Sequence, residues 1–159
     1  TKMPQAVATG HEGLAVANQY GWQPFDIPIK VEELPQLGDK LSAASDKVDA
    51  IYIPTDPILS APDNLKTILG VFNTYAIPVI SVAERFVEQG SLMALNCEFY
   101  EIGRQAAGHV EAVIAGVSIR NLPTQKPTIT KLSLNLKQAK MLGLEIKRNC
   151  ILRADRIIE

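Results

Sequence analysis

The sequence has little cysteine, few aromatic residues and no excess of charge of either sign. Two cysteines in 159 residues, Cys97 and Cys150, are too few for a disulfide framework, and their wide spacing matches no metal or redox motif. Sixteen basic and seventeen acidic residues give a net charge of -1, without the basic stripe that marks a nucleic-acid binder. We therefore expect no nucleic-acid partner, and the pairing of the two cysteines stays open.

The sequence also lacks long apolar runs and a recognisable leader. No run approaches the roughly 20 apolar residues that a membrane-spanning helix needs, and the opening from Thr1 lacks the charged and apolar regions of a signal peptide. We interpret the start as processed or engineered. A chain of 159 residues with 47% hydrophobic residues is of single-domain size and has enough apolar surface to form one core.

Motifs for catalysis and cofactor binding are missing as well. The sequence contains neither glycine-rich phosphate loop, no G-x-S-x-G elbow, and no second histidine at zinc spacing from His11. Glu98 and Glu101 lie three apart at a predicted helix start, where acidic residues are favoured by the helix dipole in any case. We therefore predict a protein that is not an enzyme, with no cofactor, no catalytic residue and no metal site.

Short apolar segments alternate with segments of helical periodicity. Residues 48–57 combine β-branched and aromatic side chains and end in Pro-Thr-Asp-Pro, which is typical of a strand buried on both faces. This alternation predicts an α/β domain with a mostly parallel open sheet and helices on both faces. The other predicted strands are 5–10, 22–29 (an edge strand), 77–82, 91–95 and 129–136. The predicted helices are 11–20, 31–45 (interrupted by Pro35 near its start), 60–76, 100–115, 137–142 and 151–159.

Polar side chains follow several of the predicted strands at the point where each strand ends. Thr55 and Asp56 follow the strand at 48–53, Glu84 follows the next, and Asn96 and Tyr100 follow the third. In an open parallel sheet, ligands bind beyond the carboxyl ends of the strands, and converging polar groups with nearby aromatic residues describe a small-molecule pocket. The alternative is that Thr55 and Asp56 only form a turn, which both residue types favour.

Several separated motifs resemble the ABC-transporter substrate-binding protein family that includes the tryptophan-binding TrpX-like proteins. They are Lys-Val-Asp-Ala-Ile-Tyr-Ile-Pro-Thr-Asp at 47–56, Ile-Pro-Val at 77–79 and Phe-Tyr-Glu-Ile-Gly-Arg-Gln-Ala-Ala at 99–107. Leu-Ser-Leu-Asn-Leu-Lys-Gln-Ala-Lys-Met-Leu-Gly-Leu at 132–144 and Arg-Ala-Asp-Arg-Ile-Ile at 153–158 resemble that family's C-terminal segments. The motifs occur in the family's order over roughly two-thirds of the chain.

The resemblance implies one lobe of a type I periplasmic-binding-protein fold, in which two α/β lobes close on a ligand and deliver it to an ABC permease. It implies an extracytoplasmic lipoprotein in the periplasm or at the cell surface. On this basis residues 1–96 form a second-lobe α/β domain. Residues 97–159 form a crossover helix, an extended linker, a strand and a C-terminal helical segment that would normally complete the first lobe.

The resemblance also implies a small polar ligand, such as an amino acid, bound in an interlobe cleft. This chain departs from the family's usual pattern at three places, where Pro57 replaces a polar residue, Ala83-Glu84 replaces a Ser-Asp type loop and Asn96-Cys97 replaces a glycine-containing segment. The identity of the ligand therefore stays open. The ligand contacts that the resemblance assigns are Thr55, Asp56, Glu84, Asn96 and Tyr100.

Proteins of that family are about twice as long as this chain, which leaves the partner of the segment after residue 97 undecided. The alternatives are that the chain is an expressed fragment, that the segment folds back onto the second lobe, or that it pairs with another molecule. A strand without its neighbour presents an unpaired edge, through which a homodimer could form. The second hypothesis for function is accordingly a ligand-sensing or dimerising module of a signalling protein with the same fold.

Overall fold

The computed structural model describes residues 4–159, with side chains from residue 12 onward. Short 3-10 helices occur at Val31–Gln36, Ser45–Lys47 and Ile119–Asn121. The helices are α1 (Pro4–Gln19), α2 (Leu37–Ser42), α3 (Pro62–Thr74), α4 (Glu84–Glu88), α5 (Phe99–Ile114), α6 (Leu136–Met141) and α7 (Arg148–Arg153), and the strands are β1 (Ile51–Tyr52), β2 (Val79–Ser81), β3 (Met93–Cys97), β4 (Thr130–Asn135) and β5 (Arg156–Ile158).

The five strands form one sheet in the order β1-β2-β3-β4-β5. All neighbours are parallel except β3 and β4, which are antiparallel, with Ala94 opposite Ser133 and Cys97 opposite Thr130. The predicted α/β fold with a mostly parallel sheet is confirmed. One edge of this sheet, which we call the carboxyl edge, is where β1, β2 and β3 end and where β4 and β5 begin.

The core lies between the sheet and helices α2, α3 and α4. Pro62 occupies the first turn of α3, where its missing N–H costs nothing, and the apolar stripe of α3 then faces the sheet. Phe72 of α3 and Val79 of β2 are almost completely buried. Each such side chain contributes about 1.5–3 kcal/mol by its removal from water. This packing fixes β1 and β2, and with them the two loops that follow these strands.

Helix α4 has five residues, too few to be stable without tertiary contacts. Its own residues Phe86 and Val87 are buried and supply those contacts. The side-chain amide of Asn135 donates a hydrogen bond to the carbonyl oxygen of Val87 at 2.8 Å. The Asn135 Oδ1 atom also accepts from the backbone N–H of Gln138 at 2.7 Å, so one buried side chain caps α6 and ties β4 to α4.

Two predictions for the N-terminal third are wrong. Residues 5–10 lie in α1 and not in a strand, and residues 22–29 form no regular strand. Pro24 and Pro28 lie in this second segment, where each removes a backbone donor that a sheet would need. The helix predicted at 31–45 with an interruption at Pro35 is observed as the 3-10 helix Val31–Gln36, which contains Pro35, followed directly by α2.

The prediction of a helical tail at 151–159 is also wrong, because α7 ends at Arg153 and β5 pairs with β4. Asp155 joins the two strands twice. Its N–H donates to the carbonyl oxygen of Leu132, and its carboxylate accepts from the Leu132 N–H, both at 2.8 Å. The chain after residue 129 thus folds back onto the sheet that contains β1, β2 and β3.

Strand β1 is not buried on both faces as predicted. It is an edge strand, and the side chain of Tyr52 is 49% exposed while that of Ile53 is 2% exposed. Because successive side chains of a strand point to opposite faces, one face of β1 packs on the core and the other is open. Partial burial of the Tyr52 side chain raises the pKa of its hydroxyl by desolvation.

Candidate functional site

The carboxyl edge brings together three of the predicted polar segments. The Thr55-Asp56 turn follows β1, the Ala83-Glu84 loop follows β2, and Asn96 lies near the end of β3. The parallel pairing continues past β1, where the Ile53 N–H donates to the carbonyl oxygen of Ile80 at 2.9 Å. The first two segments are therefore in neighbouring positions at the edge where ligands bind in open sheets.

Asp56 orders the turn that follows β1. Its side chain is 2% exposed, and Oδ1 accepts hydrogen bonds from the backbone N–H groups of Ile58 at 2.8 Å and Leu59 at 3.1 Å. This arrangement is the local side-chain to backbone bonding that favours Asp in turns. Thr55 is exposed, and its hydroxyl makes no hydrogen bond to the part of the chain that the structure describes.

Glu84 is the first residue of α4 and takes part in an ion-pair network. The guanidinium of Arg156, at the start of β5, contacts the carboxylate of Glu84 through one nitrogen and that of Glu88 at 2.6 Å through another. A ligand that bound Glu84 would have to share the carboxylate with Arg156. All three side chains are about one-third to one-half exposed.

Asn96 lies opposite Lys131 in the antiparallel pair of β3 and β4. Its side-chain nitrogen makes a long hydrogen bond of 3.4 Å to the carbonyl oxygen of Cys97. Its Oδ1 atom is buried and has no hydrogen-bond partner among the residues that the structure describes. A buried acceptor of this kind is costly unless a water molecule or a bound group donates to it.

A second ion pair crosses the end of β3. Lys131 contacts the carboxylate of Glu98, and the hydrogen bond from Lys131 lowers the pKa of Glu98, with a smaller contribution from the Tyr100 N–H. The same hydrogen bond raises the pKa of Lys131. Glu98 also caps α5 by accepting from the Tyr100 N–H at 3.3 Å. Both groups are therefore charged near neutral pH.

Tyr100 is not brought to the sheet with the other predicted residues. It lies in the first turn of α5, and its side chain is 77% exposed. Its role as a ligand contact remains a prediction. Two shallow surface depressions lie elsewhere, one of about 390 Å³ along α6 and α7 and one of about 470 Å³ along α5, and neither is lined by a predicted site residue. The edge is thus an open surface with polar groups on it.

The remaining chemistry of the described residues is sparse. Among the side chains of residues 12–159, no three His, Cys, Asp or Glu residues are grouped so that they could hold a metal ion. Cys97 and Cys150 are both free thiols. Among the described helices, none has the length and apolar character to cross a membrane.

The chain belongs to the family of ABC transporter substrate binding proteins, whose family model matches residues 26–158. A tyrosine-binding protein of Clostridioides difficile is 24% identical over 110 residues, which are 69% of this chain and 31% of that protein. The resemblance predicted from the motifs is confirmed. A family of substrate-binding proteins is not a family of enzymes.

Two solved structures share the fold. The ABC domain of a Streptococcus pneumonia protein in complex with L-Trp has a TM-score of 0.80 at 20% identity, covering 99% of this chain and 54% of that one. A ligand-free, open substrate-binding protein with adhesive properties from Clostridium difficile has a TM-score of 0.78 at 19% identity, covering 100% and 52%. The chain therefore spans about half the length of these structures and about a third of the curated relative.

Sequence reasoning missed two cations at this edge. Arg156 and Lys131 were not among the predicted site residues, yet they engage Glu84 and Glu98. Arg156 was visible only as part of the C-terminal motif at 153–158. No local pattern links it to Glu84, because the two residues meet only when β5 joins the sheet.

Proposed function

We propose that this chain is a ligand-binding lobe of the substrate-binding component of an ABC importer, and that its ligand is an amino acid. One observation carries the proposal. The Thr55-Asp56 turn and the Ala83-Glu84 loop follow neighbouring parallel strands, and Asn96 lies near the end of the third. The family supports the class of function, and the relatives that bind tyrosine and L-Trp support the class of ligand.

Within this proposal the polar groups have different tasks. The exposed hydroxyl of Thr55 and the buried Oδ1 of Asn96 are groups without internal partners among the described residues, so they contact the ligand. Glu84 supplies a carboxylate for the ligand's ammonium group. Asp56 holds the turn in shape, and Tyr100 closes over the ligand from α5.

The other wall of the cleft is formed by the first lobe of the whole protein, which packs on α5. None of the sixteen residues of α5 is buried, and its apolar residues Val110 and Ile114 are 57% and 81% exposed. With Leu122 and Pro123 of the following linker they line the groove of about 470 Å³. An apolar helix face of this kind needs a packing partner, and the solved relatives are about twice as long.

The resemblance assigns residues 97–159 to the first lobe. Within them, α5 and the linker that follows it present the apolar surface on which the rest of that lobe packs. The ligand stabilises the closed arrangement because it contacts both lobes there and one lobe in the open state. Delivery to an ABC permease and an extracytoplasmic location as a lipoprotein belong to the same proposal.

A second candidate is a sensing or dimerising module. It is favoured by the open outer edge of β1 and by the half-exposed Tyr52 beside it, since an unpaired edge pairs readily with a second copy. A dimeric mass that persists in light scattering at low concentration, and that is lost on introducing a proline at Tyr52, would support this candidate.

The test of the first proposal is calorimetric titration of the chain with L-tryptophan and L-tyrosine, with glucose and adenosine as controls. Thr55→Val removes an exposed hydroxyl without a cavity, and loss of one hydrogen bond to a charged ligand predicts about a tenfold weaker Kd. Thr74→Val is the matched control, because Thr74 lies at the end of α3 and bonds the Gly70 carbonyl oxygen. The proposal would be refuted if neither L-tryptophan nor L-tyrosine gave a heat of binding at millimolar concentration.

A further inference from the structure

Helix α4 places two like charges on the same face. Glu84 and Glu88 are four residues apart, and a like-charged pair at this spacing destabilises a helix. The helix has five residues and little stability of its own. Its first residue, Glu84, belongs to the loop that follows β2 at the carboxyl edge. The burial of Phe86 and Val87 and the hydrogen bond from Asn135 anchor α4, and the repulsion between the two glutamates acts against this anchoring.

Arg156 relieves it. Two different nitrogens of its guanidinium contact the two carboxylates, one at Glu84 and one at Glu88, the latter at 2.6 Å. A planar guanidinium has fixed donors on separate nitrogens and spans two acceptors at once, whereas an ammonium is a point charge. The side chain reaches α4 from β5, which is held to β4 by the two hydrogen bonds of Asp155.

We infer that Arg156 is a positioning residue for the ligand site. It holds α4, and with it the Ala83-Glu84 loop, against the sheet at the carboxyl edge. This inference rests on the proposed function, because it concerns a loop of the proposed site. Arg156 acts through Glu84 and Glu88 and does not itself contact the ligand. The C-terminal strand thereby controls a loop that lies 72 positions earlier in the chain.

The distinctive consequence is electrostatic. If Arg156 acts by neutralising two carboxylates, removing one of them should compensate for its loss. Arg156→Ala leaves Glu84 and Glu88 to repel each other, and Glu88→Gln in the same chain removes the repulsion while keeping Glu84. A residue that served only as packing would show no such compensation. Salt should also weaken the wild-type contact, since the three side chains are exposed to solvent.

The first measurement is hydrogen exchange of the backbone amides at 84–91, which needs no ligand. Arg156→Ala should accelerate exchange about three- to tenfold at low salt, in keeping with the modest energies of exposed ion pairs. Arg156→Ala combined with Glu88→Gln should return toward the wild-type rate, and Arg156→Lys should lie between. The matched control is Arg104→Ala, which removes an arginine from the exposed pair with Glu101 on α5 and should leave exchange at 84–91 unchanged.

The second measurement is the Kd for L-tryptophan and L-tyrosine in the same variants. We expect Arg156→Ala to weaken binding at least threefold and the added Glu88→Gln to restore it. Unchanged exchange in Arg156→Ala overturns the inference, and so does accelerated exchange with an unchanged Kd. If the wild-type chain binds neither amino acid, the proposed function fails. The exchange data alone then test whether Arg156 holds α4 through Glu84 and Glu88.

Discussion

Replacement of Asp56 by alanine should destabilise the whole lobe and not only weaken ligand binding. The carboxylate is 2% exposed and accepts two backbone hydrogen bonds, from Ile58 at 2.8 Å and from Leu59 at 3.1 Å. Hydrogen bonds to a charged acceptor are each worth about 1.5–3 kcal/mol. Alanine leaves both N–H groups without this acceptor, so we expect the free energy of unfolding to fall by about 3–6 kcal/mol.

Asp56→Asn provides the comparison that isolates the charge. The asparagine amide keeps an acceptor oxygen at the same place, and neutral hydrogen bonds are roughly half as strong as charged ones. We expect a loss of about 1–3 kcal/mol for this variant. Thr55→Val is the control from the same turn, because its exposed side chain should change stability by less than about 0.5 kcal/mol.

The assay is urea denaturation followed by tryptophan fluorescence and circular dichroism. The slope with denaturant should stay constant while the midpoint falls, since the surface exposed on unfolding is unchanged. A midpoint for Asp56→Ala within error of the wild type would refute the reasoning. If such a stable variant also lost the ligand, Asp56 would be a direct ligand contact and not the residue that shapes the turn.

Two further predictions concern the C-terminal half. Asn135→Ala removes the α6 cap and the bond to Val87 and should cost about 2–3 kcal/mol in urea denaturation, whereas the exposed Asn149→Ala should cost nothing measurable. The hydrogen bond from Lys131 lowers the pKa of Glu98 from 4.5. The contact between the two side chains therefore stabilises the fold above that pH and is lost as the pH falls below it. We expect the melting temperatures of the wild type and of Lys131→Gln to converge in acid. A difference that is constant with pH would contradict this.

The central part of the fold could be predicted because its elements depend on local patterns. The apolar stripe of α3, the short strand β2 and the amphipathic α5 follow from periodicity and from stop signals such as Gly116. The lobe's tail could not be predicted in this way. Residues 156–158 form a strand because they pair with the free edge of β4. The two strands are some twenty positions apart in sequence, so this pairing leaves no signal in the local residue pattern.

The placement of two segments of the candidate site was predictable to the same extent, whereas their contact with a ligand stays a prediction. The turn at Thr55-Asp56 and the loop at Glu84 are positioned by the ends of parallel strands, and this follows from topology alone. The contacts that the carboxylates of Asp56 and Glu84 make could not be predicted from the topology. Asp56 is occupied by its own turn and Glu84 by Arg156, and both facts depend on side-chain geometry that residue types do not specify.

The antiparallel pairing of β3 and β4 has a mechanical consequence. Cys97 lies opposite Thr130, and the Glu98 N–H donates to the Ile129 carbonyl oxygen at 3.0 Å, so residues 99–129 leave the sheet and return to it side by side. Such an excursion can pivot on its two adjacent stems without breaking a bond of the sheet. It could equally be replaced by a two-residue hairpin turn, which would leave a smaller lobe whose five strands remain joined in the same order.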